Sequence, residues 1–111
     1  MIGVDIISIE RFAKIGEGDY KHWSKFFSRR EWKYAFGKPD PHRSLAGIYA
    51  AKEAVMKAVG GKVMERADRI EITHAPDGKP LAKIDKEESR AVHVSISHTN
   101  DIAVAVAIQY E

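Results

Sequence analysis

Lys52-Glu53-Ala54 and Lys57 place one carboxylate and two ammonium groups in a run, Ala46 to Gly60, made otherwise largely of Ala, Val, Ile and Met. On a helix of 3.6 residues per turn, Glu53 and Lys57 share a face, one turn apart. A second isolated acid, Asp5, interrupts the apolar run Ile2-Gly3-Val4-Asp5-Ile6-Ile7. Two oxygen ligands with no cysteine and no clustered histidines suit Mg2+ better than zinc, because Mg2+ keeps several waters and borrows phosphate oxygens. A lysine beside such a site can serve as a point charge on a phosphate as a bond breaks. The same residues also describe an ordinary i,i+4 Glu–Lys pair with Asp5 ending a strand at the surface, and spacing alone favours that plainer arrangement.

Ser95-Ile96-Ser97-His98-Thr99 gathers hydroxyls and an imidazole at a strand end. Ser and His one residue apart on a strand point to opposite faces, and no glycine elbow or third orienting group accompanies them, so a serine-hydrolase dyad is disfavoured. Phosphate or ribose binding at the strand end fits better, and His93, within the strand, reads as structural. Asp77-Gly78-Lys79-Pro80 is by itself a turn signal. His22, His42 and His74 are dispersed and support no metal motif.

The elements that must position these groups follow from local pattern. Ile2 to Ile7 reads as a short strand rich in β-branched residues. Helical regions are expected from about Ser8 to Ile15 and from Tyr20 to Phe27, interrupted by Gly16 and Gly18. Ser28-Arg29-Arg30-Glu31 is a capping box, with Phe27 and Trp32 spaced as a hydrophobic staple, so a helix should start at Ser28 and stop near Gly37, with Glu31 serving as a cap. Asp40-Pro41 supplies N-cap and N1 of the main helix, which Gly60-Gly61 ends. Arg69 to Thr73 and Leu81 to Ile84 read as partner strands about the Asp77-Gly78 turn, and Asp85 to Arg90 as a short charged helix or loop. Val92 to Ser97 and Ile102 to Ile108 read as strands joined at Thr99-Asn100-Asp101, and Ala103, Ala105 and Ala107 leave room for close packing on one face. The pattern predicts one α+β domain over residues 1–111, a mainly antiparallel sheet packed against one long and several short helices.

With 111 residues the chain can bury a modest core, and without cysteine it has neither disulfides nor thiolate metal sites. The N-terminal apolar run contains Asp5 and has no basic leader, so neither a signal peptide nor a membrane span is expected there, and the cytoplasm is the default location. Net charge is only +2, but from Arg11 to Lys33 seven basic residues face three acidic ones, which favours an anionic partner.

Taken together, Ile2-Gly3-Val4-Asp5-Ile6, Phe27-Ser28-Arg29-Arg30-Glu31, Leu45-Ala46-Gly47-Ile48-Tyr49-Ala50-Ala51-Lys52-Glu53-Ala54 with Lys57-Ala58, Gly78-Lys79-Pro80 and Val94-Ser95-Ile96-Ser97-His98-Thr99 resemble the phosphopantetheinyl transferases, specifically the small holo-acyl-carrier-protein synthase type. The resemblance implies transfer of the 4'-phosphopantetheine arm of coenzyme A to a serine of an acidic apo acyl carrier protein, of fatty-acid biosynthesis or of polyketide or peptide synthesis, releasing adenosine 3',5'-bisphosphate. It implies Asp5 and Glu53 as Mg2+ ligands on the coenzyme A pyrophosphate, with Lys57 contacting that pyrophosphate, and Asp5, Glu53 and Lys57 as the catalytic set. It further implies coenzyme A contacts from Gly78, Lys79 and Pro80 to the adenine and from Ser97, His98 and Thr99 to the 3'-phosphate ribose. Lys52 is grouped with these cofactor-binding residues, its own role unassigned. Arg11 is implied in carrier docking, with Lys14, Lys21 and Lys25 adding to that surface, and a homotrimer with active sites between subunits is the usual assembly. Whether a metal-bound water or Glu53 takes the serine proton stays open. The competing class is a nucleic-acid-binding module, using the basic Arg11 to Lys33 face with Trp23, Phe26, Phe27 and Trp32 for stacking.

Overall fold

The computed structural model describes residues 1–88 and 91–110. In chain order it runs β1 (Ile2–Ser8), 3-10 turns at Ile9–Phe12 and Glu17–Asp19, α1 (Tyr20–Trp23), α2 (Arg29–Phe36) and α3 (Pro41–Val59). Two further 3-10 turns, Gly61–Glu65 and Ala67–Arg69, lead to β2 (Ile70–His74), β3 (Pro80–Ile84), β4 (Glu87–Glu88), β5 (Val92–His98) and β6 (Ile102–Gln109). Every strand pairing is antiparallel, and the strands divide into two sheets, ordered β1-β6-β5 and β2-β3-β4.

The caps form where the sequence places them. Ser28 Oγ accepts from the Glu31 N–H while the Glu31 carboxylate accepts from the Ser28 N–H, and the Phe27 and Trp32 rings lie 5.9 Å apart. Asp40 Oδ1 accepts from the Arg43 N–H at the start of α3, and Gly60, with φ of 66°, ends that helix. Two expected helices shrink. Ser8 to Ile15 keeps only a 3-10 turn, whose three-residue repeat sets Ile9, Phe12 and Ile15 on one buried side. Beyond α1 the chain leaves the helix at Ser24, and Trp23 and Phe27 pack around Phe12.

The charged stretch after β3 is neither helix nor plain loop. Asp85 and Lys86 both take positive φ, 52° and 70°, and form a tight turn into β4, while residues 89 and 90 lie outside the described residues. The Asp85 carboxylate is held there by the Arg69 guanidinium, Nε to Oδ1 2.6 Å.

Helix α3 lies across the β1-β6-β5 sheet with an alanine-rich face. Ala50, Ala51, Ala54 and Ala58 are buried against it, and Ala103, Ala105 and Ala107 of β6 are buried in return. Gly3 permits the closest approach: a Cβ there would stand 2.0 Å from the Ala54 carbonyl oxygen and 2.8 Å from the Ala58 nitrogen. The other face of the sheet is open and apolar, with Ile2, Val4 and Ile6 each more than half exposed beside Val106.

Gly3→Ala should cost about 1–3 kcal/mol, because backbone rather than a flexible side chain must yield. Gly18→Ala, whose added methyl meets nothing within 4 Å, should stay within about 0.5 kcal/mol. Urea denaturation of both variants distinguishes close helix approach from a general intolerance of glycine replacement.

Candidate active site

Alternation along β1 turns Gly3, Asp5 and Ile7 toward α3. Lys57, in the last turn of α3, reaches across to this strand. Its Nζ lies 3.2 Å from Asp5 Oδ1 and 3.0 Å from the Val4 carbonyl oxygen. The ordinary Glu53–Lys57 pair that spacing favours therefore does not form. Glu53 is half-buried and, among the described residues, makes no hydrogen bond or ion pair. It lines a cavity of about 170 Å³ with Phe26, Tyr49, Met56 and Met64. The Arg11 guanidinium lies over the ring of Tyr49, one of the lining residues, 5.6 Å from its centre.

Lys52 lines the same cavity as Glu53, but its ammonium is taken up in a buried ion pair. It is only 3 % exposed, and its Nζ lies 2.7 Å from Oε1 of the fully buried Glu31. Glu31 Oε1 also accepts from the Ser28 N–H at 2.7 Å, and Oε2 accepts from the Ile72 N–H at 2.8 Å. One carboxylate thus ties the start of α2, the middle of α3 and strand β2. Burial pushes the Glu31 carboxyl above its ordinary range, against the opposing pull of the Lys52 ammonium and the two N–H donors. The capping role of Glu31 holds, and the ion pair adds a second role that no local spacing connects to Lys52.

The remaining candidates gather elsewhere. Gly78, Pro80 and His98 line one cavity of about 210 Å³, against Gly47 and Ile48 of α3. Gly78 takes φ of 90° in a turn held by Asp77 Oδ1, which accepts from the Lys79 N–H at 3.0 Å, and the Lys79 side chain is exposed. Ser97 points to the face of β5 opposite His98, as strand alternation requires. The Thr99 hydroxyl accepts from the N–H groups of Asp101 and Ile102, which commits it to the β5–β6 turn. His74 also lines this cavity, its ring stacked on Tyr34 at 3.9 Å and 3°. Burial, with the Lys38 charge nearby, lowers its pKa and so favours the neutral imidazole. Lys57 follows Gly47 by ten residues, or about 15 Å along the helix at about 1.5 Å per residue. One chain thus carries two separate clusters of candidate residues.

Arg11, Lys14, Lys21 and Lys25 are all exposed, in the segment of chain before α2. The aromatics beside them do not form a stacking platform. Phe27 and Trp32 are buried, Trp23 packs on Phe12 and Phe27, and the Trp32 indole N–H donates to the Glu17 carbonyl. The nucleic-acid arrangement loses its stacking surface in this way, with Phe26 alone left substantially exposed among the four.

Lys52→Met should destabilise the fold by about 3–5 kcal/mol at neutral pH, by leaving a buried carboxylate without its cation. Without the ammonium, the carboxyl that burial already raises climbs further, so the folded state binds the proton more tightly than the unfolded state. The deficit is then full above the folded pKa and shrinks as pH falls through it. Urea midpoints between about pH 8 and pH 5 check this, and a deficit constant over that range would mean Glu31 is not the group left unpaired.

A family model of the 4'-phosphopantetheinyl transferase superfamily matches residues 1–107. The chain is 37 % identical over 109 residues to the holo-acyl-carrier-protein synthase of Thermodesulfovibrio yellowstonii, covering 96 % of this chain and 95 % of that one. It is 39 % identical over 113 residues to that of Geobacillus kaustophilus, covering 96 % and 85 %. Among solved structures, Helicobacter pylori holo-acyl-carrier-protein synthase in complex with coenzyme A superposes with a TM-score of 0.79 at 32 % identity, covering 98 % and 99 %. The Bacillus anthracis enzyme, in complex with CoA (3',5'-ADP), gives 0.76 at 34 %, covering 99 % and 96 %.

Proposed function

The chain belongs to the 4'-phosphopantetheinyl transferase superfamily, and from that premise we propose that it moves the 4'-phosphopantetheine arm of coenzyme A onto a serine of an apo acyl carrier protein. The observation that carries the reading is the Lys57 ammonium fixed by Asp5 and the Val4 carbonyl, one helical turn from the unpartnered carboxylate of Glu53. In the reaction the serine oxygen forms a bond to the phosphorus that bears the pantetheine arm. The bond from that phosphorus to the bridging oxygen breaks, adenosine 3',5'-bisphosphate leaves with the electron pair, and the serine proton passes to Glu53 or to a water beside it. Lys57 offsets the charge gathering on the departing phosphate, which in a loose transition state matters more than covalent help from the protein.

The donor set at this end of α3 fits a hard divalent cation. It is all oxygen, and Asp5 Oδ2 and both Glu53 oxygens have no hydrogen-bond partner among the described residues. No three His, Asp or Glu side chains cluster as a metal site among those residues, so water and substrate oxygens would complete the shell. Asp5 and Glu53 would hold Mg2+, which when bound neutralises pyrophosphate charge. Arg11, with Lys14, Lys21 and Lys25, presents the cationic surface on which an acidic carrier would dock, beside the cavity that Glu53 lines.

Two observations support a homotrimer with sites between subunits. The half-sites on one chain are too far apart along α3 to form one compact pocket. The outer face of the β1-β6-β5 sheet is also apolar and open, as expected of a surface that another copy covers. No helix among the described residues is long and apolar enough to cross a membrane, and we place the protein in the cytoplasm.

Incubation with coenzyme A, Mg2+ and a panel of apo carriers should add the mass of one phosphopantetheine arm to a carrier. Glu53→Gln should slow this by about 100-fold or more at an unchanged unfolding midpoint. No mass gain on any carrier, or full turnover in the variant, would sink the assignment. Sedimentation of Ile6→Lys should show monomer where the parent protein sediments as a trimer, with carrier loading lost. An unchanged trimer would remove this sheet face from the interface.

A further inference from the structure

A cavity of about 480 Å³ opens between the chain around α1 and α2 and the β2-β3-β4 sheet, and none of Asp5, Glu53 and Lys57 lines it. Phe27 and Ile70, both buried, give it apolar walls. Lys25 and Arg30 face it from the helical side, Lys83 and Lys86 from β3 and the turn after it, and Arg69 from the start of β2. Arg69 is held by Asp85, and Arg30 stands 3.9 Å from Glu71. Lys25, Lys83 and Lys86 have no ion-pair partner among the described side chains. Lys52 also lines the cavity and is only 3 % exposed. Its ammonium carries three N–H donors and makes one hydrogen bond among the described residues, to Glu31 Oε1. The Ser28 hydroxyl accepts from the Glu31 N–H, and its own proton has no acceptor among those residues. Donors left over beside apolar walls call for an acceptor, because a buried donor without one is costly.

A cleft lined by one sign of charge focuses its field on the opposite sign, and this volume suits a small ligand rather than a polymer. We propose that the cavity is a second binding site, for a small molecule that carries two or more phosphate groups. The cations stand on two sides, so a ligand with one anionic group would leave one side facing only its own repulsion. A phosphate monoester carries about −1.5 to −2 at neutral pH, and two of them balance the three unpaired lysines. Lysine ammonium groups serve as point charges for such oxygens, while Lys52 and Ser28 supply the inner hydrogen bonds. The cavity is distinct from the one that Glu53 lines, and Lys52 is the single residue common to both. The inference goes beyond the transfer reaction and holds for any donor or carrier.

The test titrates inorganic triphosphate, with no divalent cation added, into the parent protein and two double variants. Lys83→Gln with Lys86→Gln removes two cavity charges, and Lys33→Gln with Lys38→Gln removes two that do not line it. Calorimetry should show saturable binding to the parent, weakened about 10-fold or more in the cavity variant and unchanged in the control. Equal loss in both variants would mean attraction to surface charge at large, and that result, or no loss in the cavity variant, would overturn the site. Backbone amide NMR shifts during the titration should be largest around Ser28, Ile70 and Lys83. Shifts confined to Asp5 and Lys57 would place the triphosphate elsewhere and overturn the proposal, as would tighter binding of an oligoglutamate peptide, the mark of a protein-docking face. Carrier loading by the cavity variant should match the parent, and a parallel loss would overturn the separation of the two sites. If the parent loads no carrier, the reaction assignment fails, while the titration still decides for or against the cavity.

Discussion

The site depends on how closely one helix can lie on one sheet. Gly3 leaves no Cβ between β1 and α3, where one would collide with the Ala54 carbonyl, and the alanines of α3 and β6 flatten the rest of the contact. That closeness lets a lysine near the end of the helix reach a carboxylate in the middle of the strand and the carbonyl before it. A larger residue at position 3 would lift the helix and separate Lys57 from Asp5 without touching either. The small side chains are the positioning device, and the charged ones are its cargo.

The Glu31–Lys52 pair does a different job. Taking both charges out of water costs as much as, or more than, their attraction returns, so such a pair is poor ground for claiming net stability. What it does is tie together, through one polar group, three elements that also pack against one another. Glu31 holds the first turn of α2 and the β2 backbone while gripping α3 through Lys52. The β2–β3 hairpin carries Gly78 and Pro80, and α3 carries Glu53 and Lys57. A single carboxylate therefore links the elements that carry the two clusters of candidate residues.

Features that rest on neighbours in the chain were legible from the sequence. The capping box at Ser28, the Asp40-Pro41 start and Gly60 stop of α3, the Asp77-Gly78 turn and the alternating strands all appear where local pattern puts them. Asp5 and Glu53 stood out because an isolated acid in an apolar run is conspicuous. Features set by distant contacts were not legible. Lys52 meets Glu31 across 21 residues, and Arg43 shares a cavity with His74 and His98 that only the folded chain assembles. The first helices shortened because Phe12, Trp23 and Phe27 pack together, an outcome of tertiary packing that propensity does not contain. The Asp85–Lys86 turn hid for the opposite reason: a run of charges suits a helix, and neither residue advertises positive φ.

In the proposed trimer, covering the open apolar face of the β1-β6-β5 sheet would place part of this protein's stability outside the single chain. Once further copies cover it, the folding equilibrium acquires a concentration term, since whatever binds only the native state stabilises it by mass action. Dilution would then lower the melting temperature and the specific activity together, each along the same binding curve. The amount of protein present would set the fraction that is folded and competent, with no separate regulator required.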